Sequence, residues 1–152
     1  METNINRQKR ASKNNHWKTP DYIYKPLDAE FNFLFDPCPL RHDTSLWDGL
    51  KVDWSERNFI NPPYSRKEKE AFVLKAINES KKGKLCVMLI PVSTSTKLFH
   101  ETIKPSAKEI RFVKGRIKFV GYGQKGNFIK NSPAMHDSMI VIFDGRDNSK
   151  NQ

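Results

Sequence analysis

The chain is poor in cysteine, with Cys38 and Cys86 alone among 152 residues. It also has no apolar run near the roughly 18 residues that a bilayer-spanning helix needs. Its N-terminal stretch METNINRQKRASKNN lacks the apolar centre of a secretion signal. Two free buried thiols and a cytoplasmic location are therefore expected, with no membrane attachment. Cys38 and His42 are four apart, but no second Cys/His pair stands at a useful spacing. Zinc needs about four ligands, so no metal is expected. Acids are missing altogether from residues 111–130, RFVKGRIKFVGYGQKGNFIK.

That stretch carries six cations: Arg111, Lys114, Arg116, Lys118, Lys125 and Lys130. Phe112, Phe119, Tyr122 and Phe128 are interleaved with them. Cations that meet phosphates, beside rings that stack on bases, are what nucleic-acid binding requires. The plainer reading is a basic hairpin whose aromatics face the core. The net charge of +10 favours a polyanionic partner.

The length fits one domain able to bury a core, here spanning 16–144, with a basic N-terminal arm at 1–15 and a polar tail at 145–152. Thr19-Pro20-Asp21 reads as a helix start with Thr19 as its cap, and Tyr22, Ile23, Leu27 and Phe31 as one face. Pro26 predicts a break or kink midway. Phe33–Phe35 reads as a short strand that stops at Asp36-Pro37, before a long loop, 36–57. A second strand, 58–60, ends at Asn61-Pro62-Pro63-Tyr64. The spacing of Phe72, Val73, Ala76 and Ile77 predicts a helix over 66–82 with Gly83 as its stop. KLCVMLIP at 84–91 has the continuous apolar character of a strand covered on both faces. Ser93–His100 reads as a short helix; the Ser-Thr run within it would cap that helix or bind phosphate. Strands follow at 110–113 and 117–120, joined across Gly115, and at 138–143. The alternation of strands and helices predicts an α/β sheet.

The Asn-Pro-Pro-Tyr corner is the most informative stretch. Pro62 and Pro63 fix their own φ, donate no backbone hydrogen bond, and keep the preceding residues extended. A stiff corner at the carboxyl end of a strand lies where α/β sheets hold ligands. The Asn61 side-chain oxygen and the Pro62 carbonyl together accept the two N–H groups of a planar amine, and Tyr64 would stack on its ring. The lone pair of an exocyclic amino group such as adenine N6 is delocalised and weakly nucleophilic. Two acceptors localise it and stabilise the positive charge that grows on nitrogen during attack. The bland alternative is a Pro-Pro turn after an edge strand.

With HWKTP at 16–20, FLFDPCP at 33–39, DGL and Trp54 at 48–54, NPPYS at 61–65, LIPVSTST at 89–96, KGRIKF at 114–119 and SMIVIF at 138–143, the chain resembles the small phage and prophage DNA N6-adenine methyltransferases. The resemblance implies a reduced Rossmann-like S-adenosylmethionine-dependent methyltransferase fold, with a central mixed, mostly parallel sheet and helices on its faces. It implies transfer of a methyl group from S-adenosylmethionine to a flipped adenine in DNA, as phage DNA modification in a bacterial host. Asn61, Pro62, Pro63 and Tyr64 would form the catalytic corner. Thr19 and Pro20, with Asp36, Pro37 and Cys38, would lie against the cofactor. Asp48, Gly49 and Leu50 would lie beside its ribose or adenine, and Trp17 would cover it or plug the core. Ser65, Arg111, Lys114, Arg116, Lys118, Phe119 and Tyr122 would meet the substrate. DPCPLRHD lacks the glycine-rich loop of many methyltransferases, and only 24 residues separate Asp36 from Asn61. A full βαβ unit takes about 30, so one or more such units must be missing or reduced. Transfer to RNA or a protein glutamine, and a non-catalytic nucleic-acid-binding module, are the alternatives.

Overall fold

The computed structural model describes residues 17–39, 44–122 and 127–146. The expected arm at 1–15, His42, and the tail beyond residue 146 lie outside the described residues, as does the Tyr122 side chain.

The sheet has the order β1-β2-β6-β3, formed by β1 (Arg57–Ile60), β2 (Leu85–Pro91), β6 (Ser138–Asp144) and β3 (Glu109–Phe112). β1 and β2 are parallel, and β6 runs antiparallel to both β2 and β3. Strands β1, β2 and β3 thus share one direction with β6 reversed among them, so two of the three pairings are antiparallel and the sheet is mixed rather than mostly parallel. Phe35 extends the sheet beyond β1 through a parallel bridge to Asn58, with Phe59 N donating to Phe35 O at 3.1 Å. A separate two-stranded hairpin is made by β4 (Lys118–Tyr122) and β5 (Phe128–Pro133).

Side-chain alternation along the central strands builds two cores. Cys86, Met88 and Ile90 of β2 point with Met139, Val141 and Phe143 of β6 to one face. Helix α2 (Arg66–Lys81) covers it with Phe72, Val73, Ala76 and Ile77. Leu85, Val87 and Leu89 point to the other face with Ile140 and Ile142. There Leu27 of helix α1 (Asp21–Phe31) and Ile117 and Phe119 of the hairpin region cover them. Both faces are therefore dry, as the unbroken apolar run of β2 requires. Each fully buried Leu, Ile or Val contributes roughly 1.5–3 kcal/mol.

Several expectations change. The helix start is not capped by Thr19: Pro20 precedes the first turn and no side chain caps it. Helix α1 runs through Pro26 without a break, because Leu27, Tyr24 and Phe31 pack against the sheet on both sides of it. Tyr22 is not on the buried face but accepts a hydrogen bond from Lys118 N at 3.0 Å. The strands at 109–112 and 118–122 do not pair with each other: β3 joins β6, and β4 pairs with β5. Residues 128–133 form the unanticipated strand β5, whose Phe128 and Ile129 lie opposite Tyr122 and Gly121 of β4. The helical stretch after β2 lies at Leu98–Ser106, later than expected, and begins with a wide π-type turn. Thr96 caps it, its hydroxyl accepting from Phe99 N at 3.2 Å, which favours the capping role of the Ser-Thr run. Helix α2 ends as expected, at Gly83 with φ 92°. Among the described residues no helix is long and apolar enough to cross a membrane.

One buried carboxylate fastens α2 to the sheet. Glu79 is 1% exposed and ion-paired with Lys75 at 3.2 Å, Lys82 at 3.3 Å and Lys84. Lys84 also donates to Trp54 O at 2.7 Å, tying in the loop before β1. Burial pushes the Glu79 carboxyl up, but hydrogen bonds from Lys84, Lys75 and Lys82 outweigh it and hold it at about 2. A carboxyl lowered in the folded state stabilises above its unfolded value and loses that stabilisation as pH falls. The expected outcome for Glu79→Ala is a loss of about 3 kcal/mol near neutral pH in denaturant unfolding. The gap to wild type should narrow as pH falls from the ordinary carboxylate value of 4.5 towards about 2.

Candidate active site

Residues 33–35 form only a single parallel bridge, at Phe35, rather than the expected strand, and it brings two chain segments side by side. The loop Asp36-Pro37-Cys38 leaves one, and Asn61-Pro62-Pro63-Tyr64 leaves the other. A cavity of about 440 Å³ opens over these ends, a size suited to a small-molecule ligand. Its floor is Phe59, Asn61, Asp36 and Cys38; its wall is Trp17, Lys18 and Thr19 with Asp21, Tyr24, Lys25 and Asp28 of α1.

Asn61 is buried, at 7% exposure, and its neighbours hold it from three directions. Its amide nitrogen donates to the Trp17 carbonyl at 2.5 Å. Its amide oxygen accepts from the Tyr64 hydroxyl at 3.1 Å. Its main-chain carbonyl accepts from the Cys38 thiol at 3.2 Å. Burial, then the nearby Asp36 carboxylate, pushes that thiol well above its ordinary value. Burial does the same to the Tyr64 hydroxyl. Both therefore remain protonated donors at neutral pH, so neither ionises as a nucleophile or base.

Tyr64 meets Phe119 edge to face, with ring centroids 5.9 Å apart. Its hydroxyl thus acquires a role that stacking alone does not describe: it holds the Asn61 amide. Asp36 shapes its own loop by accepting from Cys38 N at 2.9 Å, and it lines the cavity. Thr19 is 5% exposed and lines the cavity too. Among the described residues its hydroxyl has no hydrogen-bond partner. A buried polar group without a partner is costly unless a ligand supplies one.

Of the expected cofactor residues, Trp17, Thr19, Asp36 and Cys38 meet in the cavity with Asn61. Pro20, Pro37, Asp48, Gly49 and Leu50 are not among its lining. Asp48 accepts from Leu50 N at 2.9 Å and so closes its own turn. Gly49 presses on the loop beneath the cavity: a Cβ there would lie 1.7 Å from Pro37 O. Its carbonyl accepts from the Trp54 indole at 2.7 Å.

The expected substrate residues are spread out. Ser65 precedes α2. Arg111 makes a two-pronged pair with Glu30, both bonds 2.7 Å, and lies over the Phe31 ring. Lys114, Arg116 and Lys118 are exposed. Phe119 is buried, whereas Phe112 and Phe128 are 65% and 54% exposed. The aromatics of the basic stretch thus divide between core and surface.

The α1 wall was missed in the sequence, although Asp21, Tyr24, Lys25 and Asp28 follow the i, i+3, i+4, i+7 spacing of one helix face.

This is an α/β protein with a cleft over the carboxyl end of β1, beside the Phe35 bridge. The model of the DNA N-6-adenine-methyltransferase (Dam) family matches residues 6–150, and the chain belongs to that family. Its chemistry is the methylation of adenine N6 in DNA. The DNA N-6-adenine-methyltransferase of Haemophilus phage HP1 (strain HP1c1) is 35% identical over 140 residues, covering 84% of this chain and 78% of that protein. No solved structure matches the chain.

Gly49→Ala should lower stability by about 3 kcal/mol, the upper range for overpacking, because Pro37 main-chain atoms cannot yield as a side chain can. Urea unfolding measures it; a loss below about 0.5 kcal/mol would mean that the loop moves freely off Asp36-Pro37-Cys38.

Proposed function

We propose that this chain is a phage-type enzyme that methylates N6 of an adenine turned out of the DNA helix, with S-adenosylmethionine held in the cleft over Asp36 and Asn61. The observation that carries this reading is Asn61 in the floor of a ligand-sized cleft, its side-chain amide fixed at both ends and its main-chain carbonyl held by the Cys38 thiol. The sheet supports a reduced Rossmann-like methyltransferase fold: it has the mixed α/β design, with the cleft at the carboxyl ends of Phe35 and β1.

The cleft suits the cofactor chemically. Thr19 offers a buried hydroxyl that lacks a partner. Asp36 is a carboxylate of the kind that accepts from a ribose diol. Asp21 and Asp28 add negative charge, which favours a cation. When bound, S-adenosylmethionine supplies a methyl group made electrophilic by a sulfonium.

The protein's own part is to make the amine reactive. Asn61 Oδ1 and the Pro62 carbonyl accept the two N6–H bonds, localise the nitrogen lone pair and stabilise the charge that develops there. The two prolines keep these acceptors from rearranging during the reaction. Neither acceptor is a strong base, so the excess N6 proton passes to water after transfer. N6 takes part in Watson–Crick pairing, so the base must leave the stack first. Lys114, Arg116 and Lys118 are placed on the surface to meet phosphates.

Asn61→Ala is expected to reduce transfer to adenine-containing DNA by about 10²–10³-fold, the range for losing one preorganised partner of developing charge. Its thermal stabilisation by S-adenosylmethionine should persist; wild-type turnover would remove Asn61 from the mechanism.

Thr19→Val addresses the cofactor separately. The ligand-free variant should be as stable as wild type or about 1 kcal/mol more stable, since an unpartnered buried hydroxyl is gone. S-adenosylmethionine should bind about tenfold more weakly, equivalent to one lost hydrogen bond. Titration calorimetry reads this directly, and equal affinity would place the cofactor away from Thr19.

A further inference from the structure

A neutral amide has a donor end and an acceptor end. Whatever binds the donor end of Asn61 decides which end the substrate meets. Here that partner is a main-chain carbonyl 44 residues away in sequence, Trp17 O. The carbonyl is itself fixed. Lys18 exchanges both main-chain hydrogen bonds with Val120 of β4, Lys18 N to Val120 O at 2.5 Å and Val120 N to Lys18 O at 3.0 Å. The Trp17 ring packs on Gly121, where a Cβ would lie 2.5 Å from Cε3. The segment before α1 is thus a strap, pinned to the hairpin at Lys18 and to Asn61 at Trp17.

We propose that the Trp17 carbonyl is a positioning group that keeps the Asn61 oxygen towards the substrate amine, and that it makes position 61 specific for asparagine over aspartate. This rests on the reading of Asn61 as the N6 acceptor. Turned over, the Asn61 NH₂ group would meet another NH₂ group, donor against donor. Ionised aspartate has acceptors only. One of its oxygens would face the Trp17 carbonyl in a buried site, acceptor against acceptor. Protonation restores the missing donor. The titratable and charged groups around position 61 are Asp36 and Cys38 of the loop, Tyr64 of the corner, Lys18 of the strap, and Asp21, Tyr24, Lys25 and Asp28 of α1. Three carboxylates against two lysines, together with burial, favour the protonated form of a carboxyl at 61.

The experiment measures methyl transfer by the full chain to adenine-containing duplex DNA. DNA and S-adenosylmethionine are saturating, and pH runs from mildly acidic to mildly alkaline. Asn61→Asp should have a kcat about 100-fold below wild type at the alkaline end. Its ratio to wild type should rise about tenfold per unit as pH falls, because only the protonated fraction is competent. The ligand-free melting midpoint of Asn61→Asp, relative to wild type, should also fall as pH rises: a carboxyl raised in the folded state loses stability above its unfolded value. A wild-type kcat for Asn61→Asp, or a loss that ignores pH, overturns the proposal. Gly121→Ala supplies a second reading by pressing on the Trp17 ring; kcat should fall about tenfold, the effect of a modest misplacement, with KM for DNA unchanged, and an unchanged kcat overturns the proposal. Asn61→Ala separates the two levels. If it transfers normally, the functional reading fails; if it is inactive while Asn61→Asp is active at every pH, only the strap's role is lost.

Discussion

Three chain segments meet on one residue, Asn61, at the end of β1. The strap reaches Asn61 through the Trp17 carbonyl, the loop after the first strand through the Cys38 thiol, and the corner through the Tyr64 hydroxyl. Every partner is a neutral group, and burial keeps the thiol and phenol from ionising. The junction therefore does not come apart over the neutral pH range. Its stiffness comes from two sources of different kinds. Pro62 and Pro63 limit the backbone covalently, whereas hydrogen bonds with Trp17 and Tyr64 limit the side chain and one from Cys38 limits the main-chain carbonyl. In the role proposed for Asn61, the acceptor must not yield when the amine arrives, and both sources work against yielding.

The same junction explains how a short chain forms such a cleft. Only 24 residues lie between Asp36 and Asn61, too few for another strand-helix unit. A packed loop takes its place. Trp54, 4% exposed, stacks with Phe72 of α2 at 6.5 Å and donates to Gly49. Gly49 in turn abuts Pro37, so the loop supports Asp36-Pro37-Cys38 from below. Lys84 closes this arrangement by joining Trp54 O to the buried Glu79. The core face of the sheet and the cleft floor thus share one support, and damage to the loop reaches both.

What the sequence disclosed follows from where local rules govern. The apolar run at 84–91 and the helix spacing at 72–77 are local features, and each lies in the structure where it was expected; Asn-Pro-Pro-Tyr follows β1 directly. Pairing partners are not local. Two basic strands separated by Gly115 look like a hairpin, yet β3 finds a better partner in the apolar edge of β6, and β4 turns to 128–133. Pro26 lowers helix propensity locally, but packing of α1 on the sheet overrides it. Asp48-Gly49-Leu50 shows the limit most plainly. A glycine beside an acid in a cofactor protein suggests ligand contact, whereas here the missing Cβ admits Pro37 and the acid caps its own turn. The donor end of Asn61 was illegible for the same reason: no local rule connects residue 17 with residue 61.

The signs of charge are sorted in space, and this sorting bears on how DNA and base reach the site. The chain carries a net charge of +10, yet the described cleft contains three carboxylates and two lysines. Lys114, Arg116 and Lys118 are exposed on the way from β3 into the hairpin. Arg111 contributes less to that field, since Glu30 neutralises it with two bonds. On the proposed reading, this sorting would draw a phosphate backbone to the hairpin side and away from the cleft, while leaving a neutral base no such barrier. The strap lies at the border: Lys18 pairs with the hairpin, and the residue before it holds Asn61. On the proposed reading, any displacement of the hairpin by a docked duplex would be transmitted over one peptide unit to the Asn61 amide.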